Sequence, residues 1–264
     1  MIPKIRIFYL ILIVILAIIF YKLKFIINAY IFKLKNSIIV GKGYFNYAYI
    51  YNEIFIKKEY SLTTNLNNAI IFDIGANLGL FSLYLAQKYK NMTIHCFEPV
   101  EEIFQCLKKN LEKIKNNNFF INNIGLSNTN EIKEIVYYPY ANGLTTCCDD
   151  MDYKLTKHLF YERIILRFLL KKKDYIKIKL LQIKDYITLN NIIHVDLCKI
   201  DVECSELYVL EGFGEYLHIV KMFIIEIENF RNTYLDKIKS LLKNYKINIT
   251  NEKENWCKLT AIRN

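Results

Sequence analysis

The stretch AIIFDIGANLGLFS, residues 69–82, decides the fold. Ala69 to Phe72 is a short continuous apolar run, which suits a strand buried on both faces. It ends in Asp73, and the turn Gly75-Ala76-Asn77-Leu78-Gly79 leads directly into Leu80, Phe81, Leu83, Leu85 and Ala86, apolar on most sides of a helix. Gly75 and Gly79 let the backbone turn tightly and come close to a ligand, and Asn77 tolerates unusual dihedrals. Strand, glycine turn and helix in that order form the opening unit of a parallel α/β sheet.

The pattern recurs along the chain. Thr93–Phe97 ends in Glu98, Leu197–Ile200 in Asp201 and Phe223–Ile227 in Glu228, while a weaker run, Phe119–Leu126, predicts one more strand between the second and the one ending at Asp201. Ile103, Leu107, Leu111 and Ile114 make one apolar stripe on a helix closed by Asn116-Asn117-Asn118. Beyond Asn229, a helix near Tyr234–Tyr245 and two strands, Ile247–Thr250 and Cys257–Ile262, complete the sheet. The alternation implies right-handed crossovers and a doubly wound, Rossmann-like sheet, mostly parallel with an antiparallel edge strand. Ligands of such sheets bind beyond the carboxyl ends of the strands, where the four strand-end acids fall. Taken singly, each acid also reads as a helix cap.

The spacing of Gly75 and Gly79 differs from the G-x-G-x-x-G turn that brings helix N–H groups to a pyrophosphate. S-adenosyl-L-methionine has no pyrophosphate. It needs an acidic partner near its amino-acid moiety and sulfonium, a place for Asp73, and a carboxylate that accepts hydrogen bonds from both ribose hydroxyls, a place for Glu98. A nicotinamide-dinucleotide enzyme shares the strand-end acid and remains the rival reading.

On these residues the chain resembles the FkbM-type methyltransferases. The similar blocks are FDIGANLGLFS (72–82), CFEPVEE (96–102), NNIGLSNTNE (122–131), LQIKDYI (181–187), KIDVECSELYVLEG (199–212) and IIEIEN (224–229). The resemblance implies a class I methyltransferase fold, S-adenosyl-L-methionine as cofactor, and methylation of hydroxyl oxygens on natural products or sugars. It implies cofactor contacts at Asp73, Gly75, Asn77, Gly79 and Glu98, with Asp201 and Glu203 on the reaction side. Methyl transfer needs the acceptor oxygen held in line and its proton removed. Asp201 is the first candidate for that task and Glu203 and Glu206 stand next, with no metal site assigned. Cys204 departs from the family's usual glycine after that glutamate, which bears on pocket width and keeps open a fold that binds without catalysing.

Residues 127–194 form an insertion before the strand ending at Asp201, with the alternating EIKEIVYYPY (131–140), the loop ANGLTT (141–146) and an aromatic-rich helical stretch around Tyr153–Leu170. Long connections in compact domains are usually functional, so this segment is expected to shape the acceptor site. Residues 69–264 make the catalytic domain and 36–68 an irregular or short-strand lead-in. Residues 1–35 carry an uncharged run, IFYLILIVILAIIFY (7–21), flanked by Lys4, Arg6, Lys22 and Lys24. Such a run reads as a single-pass transmembrane anchor, since flanking lysines snorkel and no small-x-small cleavage site follows closely.

The formal charge is +10, but the seven basic residues that precede the first acid, Glu53, leave only +3 for the rest. That surplus is too small and too dispersed to suggest nucleic acid, and no N/D-P-P-Y/F motif points to a base or protein acceptor. The expected partner is a small-molecule or glycan acceptor near a membrane. The cysteines contain no CxxC pair and three sit in or beside apolar runs, which favours reduced thiols and a cytosolic domain.

Overall fold

β1 (Ile70–Ile74) is an inner strand, third from one edge, of a seven-stranded sheet in the computed structural model, which describes residues 26–41, 44–146, 167, 169–228, 234–253 and 256–264. Ile71, Phe72 and Ile74 are fully buried, two facing one layer of the core and one the other. Each such side chain contributes about 1.5–3 kcal/mol by leaving water, and burial on both faces is why the run carries no polar alternation. On one side β1 pairs in parallel with β2 (Thr93–Phe97), which pairs with β3 (Asn118–Asn122). On the other it pairs with β7 (Leu197–Ile200), which pairs with β8 (Met222–Glu228). The reversed strand expected at this edge is β10 (Trp256–Arg263), antiparallel to both β8 and the outermost β9 (Tyr245–Lys253). The direction of sheet growth reverses beside β1, so the crevice of the fold opens between the ends of β1 and β7.

Two apolar layers sandwich the sheet. One is built on α3 (Leu80–Lys88) and α4 (Glu101–Leu111), the latter burying Ile103, Leu107 and Leu111 along the expected stripe. The other is built on α5 (Ile183–Leu189), α6 (Glu206–Gly212) and α7 (Tyr234–Leu241). His95 belongs to this core: its Nδ1 lies 2.8 Å from the Tyr186 hydroxyl, its ring stacks on Phe120, and burial pushes its pKa down to about 4.

Two sequence readings change. The run Phe119–Leu126 is not one strand, because the chain leaves the main sheet after β3 and its continuation, β4 (Gly125–Ser127), enters a second sheet. The Asn122 amide marks the break, donating to the Cys96 carbonyl (3.1 Å) and the Tyr186 hydroxyl (3.2 Å). The second sheet has the order β4-β6-β5, with β5 (Glu131–Tyr137) antiparallel and β4 parallel to β6 (Asp174–Gln182). The lead-in (36–68), in turn, is helical in its first half: α1 (26–36) ends where the lead-in begins, and α2 (Tyr44–Tyr51) runs on into a π-helical turn, Asn52–Ile56. Its buried positions Tyr47, Ala48, Tyr51 and Ile54 have helical spacing, but two of the four are tyrosines, so the apolar period is weak. The Tyr47 hydroxyl donates to the Ala29 carbonyl (2.8 Å) and ties α2 to α1.

The apolar run 7–21 and nearly all of the helical stretch expected around Tyr153–Leu170 lie outside the described residues. Among the described residues, no helix is long and apolar enough to cross a membrane.

Candidate active site

Asp73 and Lys199 are register partners on β1 and β7, so their side chains leave the sheet on the same face. Both are buried, and Lys199 Nζ lies 3.4 Å from Asp73 Oδ1 and 3.3 Å from Asp201 Oδ2. The ammonium also donates to the Gly75 carbonyl (2.9 Å), while the Ser82 hydroxyl donates to Asp73 Oδ2 (2.7 Å). Burial alone would lower the Lys199 pKa, but the carboxylates of Asp201, Asp73 and Glu226 outweigh it and hold the amine above its ordinary range. Lys199 is therefore protonated and is excluded as a base. The Asp201 side chain keeps 32% exposure, so the ammonium grips it without closing it off.

The first glycine of the turn serves a backbone contact. Gly75 has φ +75°, and a Cβ built there would sit 1.9 Å from the Asp201 carbonyl oxygen. Gly79 has φ +83° at the N-cap of α3, and its Cβ would meet the Leu107 and Leu111 side chains of α4. The sequence reading gave both glycines to a ligand; Gly79 instead permits helix packing and does not line the cavity described below. Asn77, also left-handed at φ +49°, donates its backbone N–H to Glu98 Oε2 (3.1 Å), and the Val100 N–H donates to Glu98 Oε1 (2.9 Å). Burial raises the Glu98 pKa to about 7 despite these two donors.

After β7 the chain turns through two consecutive left-handed residues, Glu203 (φ +50°) and Cys204 (φ +76°). Glu206 holds this turn, its Oε1 accepting from the Cys204 N–H (3.0 Å) and its Oε2 from the Tyr234 hydroxyl (3.1 Å). Burial, reinforced by Glu228, raises the Glu206 pKa to about 8. The insertion reaches the same turn, with the Thr146 hydroxyl donating to the Glu203 carbonyl (2.7 Å). Neither Glu206 nor Cys204 lines the cavity, so the cysteine does not narrow it.

Asp201, Glu203, Glu98, Gly75 and Asn77 meet around one cavity of about 460 Å³ at the carboxyl ends of the strands, whereas Asp73, expected to contact the cofactor, is fully buried against Ser82 and Lys199 and does not line it. Its walls include two segments that the sequence reading left without a named site residue. The lead-in contributes Tyr49, Glu53, Lys57, Glu59 and Tyr60, and the second sheet contributes Lys133, Ile135, Ile178 and Leu180, with Ala141–Thr146 beside them. Glu226 on β8 faces Lys258 on β10 in register; Lys258 Nζ lies 3.1 Å from both Glu226 and Glu59, and the Tyr60 hydroxyl donates to Glu226. Burial, then Glu226 and Glu59, lift the Glu53 pKa to about 8. The legible signal for Lys199, Glu226 and Lys258 was a charge in the middle of an apolar strand, as in LCKI, FIIEIE and WCKL. Buried charges of this kind require partners.

The model of the FkbM methyltransferase domain matches residues 73–247, more than half of the chain. Methyltransferase sdnD of Sordaria araneosa is 29% identical over 79% of this chain and 85% of its own length. Methyltransferase 1 of Beauveria bassiana is 25% identical over 79% of this chain and 84% of its own. The 31-O-demethyl-FK506 methyltransferase FkbM of Streptomyces tacrolimicus is 26% identical over 62% of this chain and 67% of its own. With the sheet order and strand-end acids already described, the match over 73–247 means that this chain belongs to the FkbM methyltransferase family, whose methyl donor is S-adenosyl-L-methionine.

Proposed function

We propose that this methyltransferase acts on a hydroxyl oxygen of a small-molecule, sugar or glycan acceptor close to a membrane, with the cavity as its active site. The observation that carries the reading is Asp201, a carboxylate gripped by Lys199 yet open to the cavity. The cavity has the size of a small-ligand site, and its apolar wall of Phe97, Pro99, Val100 and Leu126 adjoins Glu98, which fits an adenosine with its diol on the carboxylate. S-adenosyl-L-methionine, so held, supplies an electrophilic methyl group. Asp201 accepts the proton of the acceptor hydroxyl and orients its oxygen, and Glu203 lines the same cavity.

Three further features support the reading. The lining carries six acids besides Glu98 and only three lysines, so an anionic acceptor such as a nucleic-acid backbone is repelled while a neutral polyol is not. One family relative is named for an O-demethyl acceptor. The apolar run 7–21 is followed by α1, which exposes Ile27, Tyr30, Ile31 and Leu34 at helical spacing, as a segment near lipid would. Among the described residues five cysteines are buried thiols outside any disulfide, which favours a cytosolic face.

The test is titration of S-adenosyl-L-methionine and S-adenosylhomocysteine into the full chain, followed by methyl-label transfer to panels of hydroxyl, amine and carboxylate acceptors. Micromolar binding that Glu98→Ala weakens, with label on hydroxyl oxygens, supports the proposal. Label on nitrogen alone rejects it. Flotation of the full chain with phospholipid vesicles tests the membrane part, and recovery in the lipid-free fraction rejects that part.

A further inference from the structure

Lys199 does more than pair with one acid. Its Nζ lies within 3.4 Å of two carboxylates and 2.9 Å of the Gly75 carbonyl, so one buried ammonium joins the turn after β1 to the turn after β7. It lines the cavity and also lies over the Phe81 ring, 5.9 Å from its centroid. Without that ammonium, Asp201 on the cavity wall and Asp73, buried and outside the lining, would be two uncompensated negative charges beside the crevice.

Methyl transfer changes the charge of the ligand. The donor is a sulfonium cation and its product a neutral thioether, so positive charge at sulfur fades as the reaction proceeds. A site with bare carboxylates holds the cationic ground state more tightly than the transition state, and such binding slows the chemical step. We infer that Lys199 is a positioning and charge-setting residue, which offsets part of the negative charge of Asp73 and Asp201 and so narrows the preference of the site for cationic donor over neutral product. The inference rests on the cavity being the donor site.

The two ligands are their own probes, and no acceptor is needed. Calorimetric titration of both into the full chain gives the ratio of their affinities across a charge series. Lys199→Met makes the site one charge more negative and favours the cation, whereas Asp201→Asn makes it one charge more positive and favours the thioether. Each step shifts the ratio by about tenfold, in opposite directions, as a unit charge several ångströms away in a partly screened site does. Lys199→Arg keeps the wild-type ratio. If Lys199→Met fails to fold, the double variant Lys199→Met with Asp201→Asn preserves the charge balance and is expected to return the ratio to its wild-type value, with Asp201→Asn alone still reading the opposite arm.

A ratio that stays flat while both affinities fall together overturns the inference and leaves Lys199 a purely structural clamp. Failure of either ligand to bind the folded wild-type chain rejects the donor-site reading and this inference with it.

Discussion

The α-carbon of Gly75 approaches the backbone of Asp201 so closely that a β-carbon would stand 1.9 Å from the Asp201 carbonyl oxygen and 2.9 Å from its carbon. Two strand ends thus meet backbone to backbone at the floor of the crevice, in a left-handed conformation that side chains disfavour. Gly75→Ala must separate the strand ends or distort the turn, and is expected to cost about 3–5 kcal/mol, a large part of a domain's stability. Gly79→Ala meets the movable end of Leu107 and is expected to cost about 1–2 kcal/mol, chiefly for its dihedral. Denaturation midpoints of the two variants check the order, and equal losses would refute the assignment of Gly75 to a backbone contact.

Cys204 occupies a left-handed position, φ +76°, beside Glu203 at φ +50°. A non-glycine residue there costs roughly 1–2 kcal/mol, while glycine costs roughly 0.4–1 kcal/mol through the freedom it gives the unfolded chain. The difference favours glycine by about 0.5–1 kcal/mol, but the Cys204 side chain is buried and its loss costs a similar amount, so Cys204→Gly is expected to leave stability within about 1 kcal/mol of the wild type. Because Cys204 does not line the cavity, S-adenosylhomocysteine affinity should stay unchanged. A melting temperature close to that of the wild type with constant affinity meets the expectation, and a loss of affinity would overturn the placement of Cys204 outside the cavity.

What the sequence disclosed follows from how each residue signals its environment. Strands β1, β2, β7 and β8 are buried on both faces, and uninterrupted apolar runs report that state directly. Asp73, Glu98 and Asp201 were legible because an acid closing such a run has few places to go except a strand end. Lys199, Glu226 and Lys258 were not assigned, because the register brings Asp73 to Lys199 and Glu226 to Lys258 across strands, and Glu59 and Tyr60 reach the second pair from the distant lead-in. The lead-in wall was missed for another reason: Tyr47 and Tyr51 bury their rings in a helix while Tyr60 and Glu53 face the cavity, and residue type alone does not separate the two uses. Asn122 ended a strand that hydrophobicity alone extended to Leu126.

Glu98 makes the binding of the nucleoside pH-dependent. Its two oxygens already accept the Asn77 and Val100 N–H groups, and below its pKa of about 7 one of them also carries a proton. The ionised form accepts more hydrogen bonds from a ribose diol than the protonated form, so affinity is expected to rise as pH passes upward through 7. Methylthioadenosine is the suitable probe, since it lacks the amino-acid group that titrates in the full cofactor. Its affinity should grow several-fold between pH 6 and 8 in the wild type and stay level in Glu98→Gln. A pH dependence that persists in the variant would assign the effect elsewhere.

Glu206 links the β7 turn to the stability of the whole domain. It is fully buried with Glu228 nearby, and its pKa of about 8 lies well above that of a carboxyl in the unfolded chain. The folded state therefore binds a proton that the unfolded state releases between about pH 4.5 and 8. A raised folded-state pKa means that this contribution is complete below the unfolded value and is lost as pH rises through that window. Glu206→Gln removes the titration while leaving an amide oxygen for the Cys204 N–H or the Tyr234 hydroxyl to reach. The variant is expected to be less stable than the wild type near pH 5 and to close that gap by pH 8 to 9. Melting curves of both proteins across this range decide the matter, and a gap that stays constant with pH would show that Glu206 is ionised throughout.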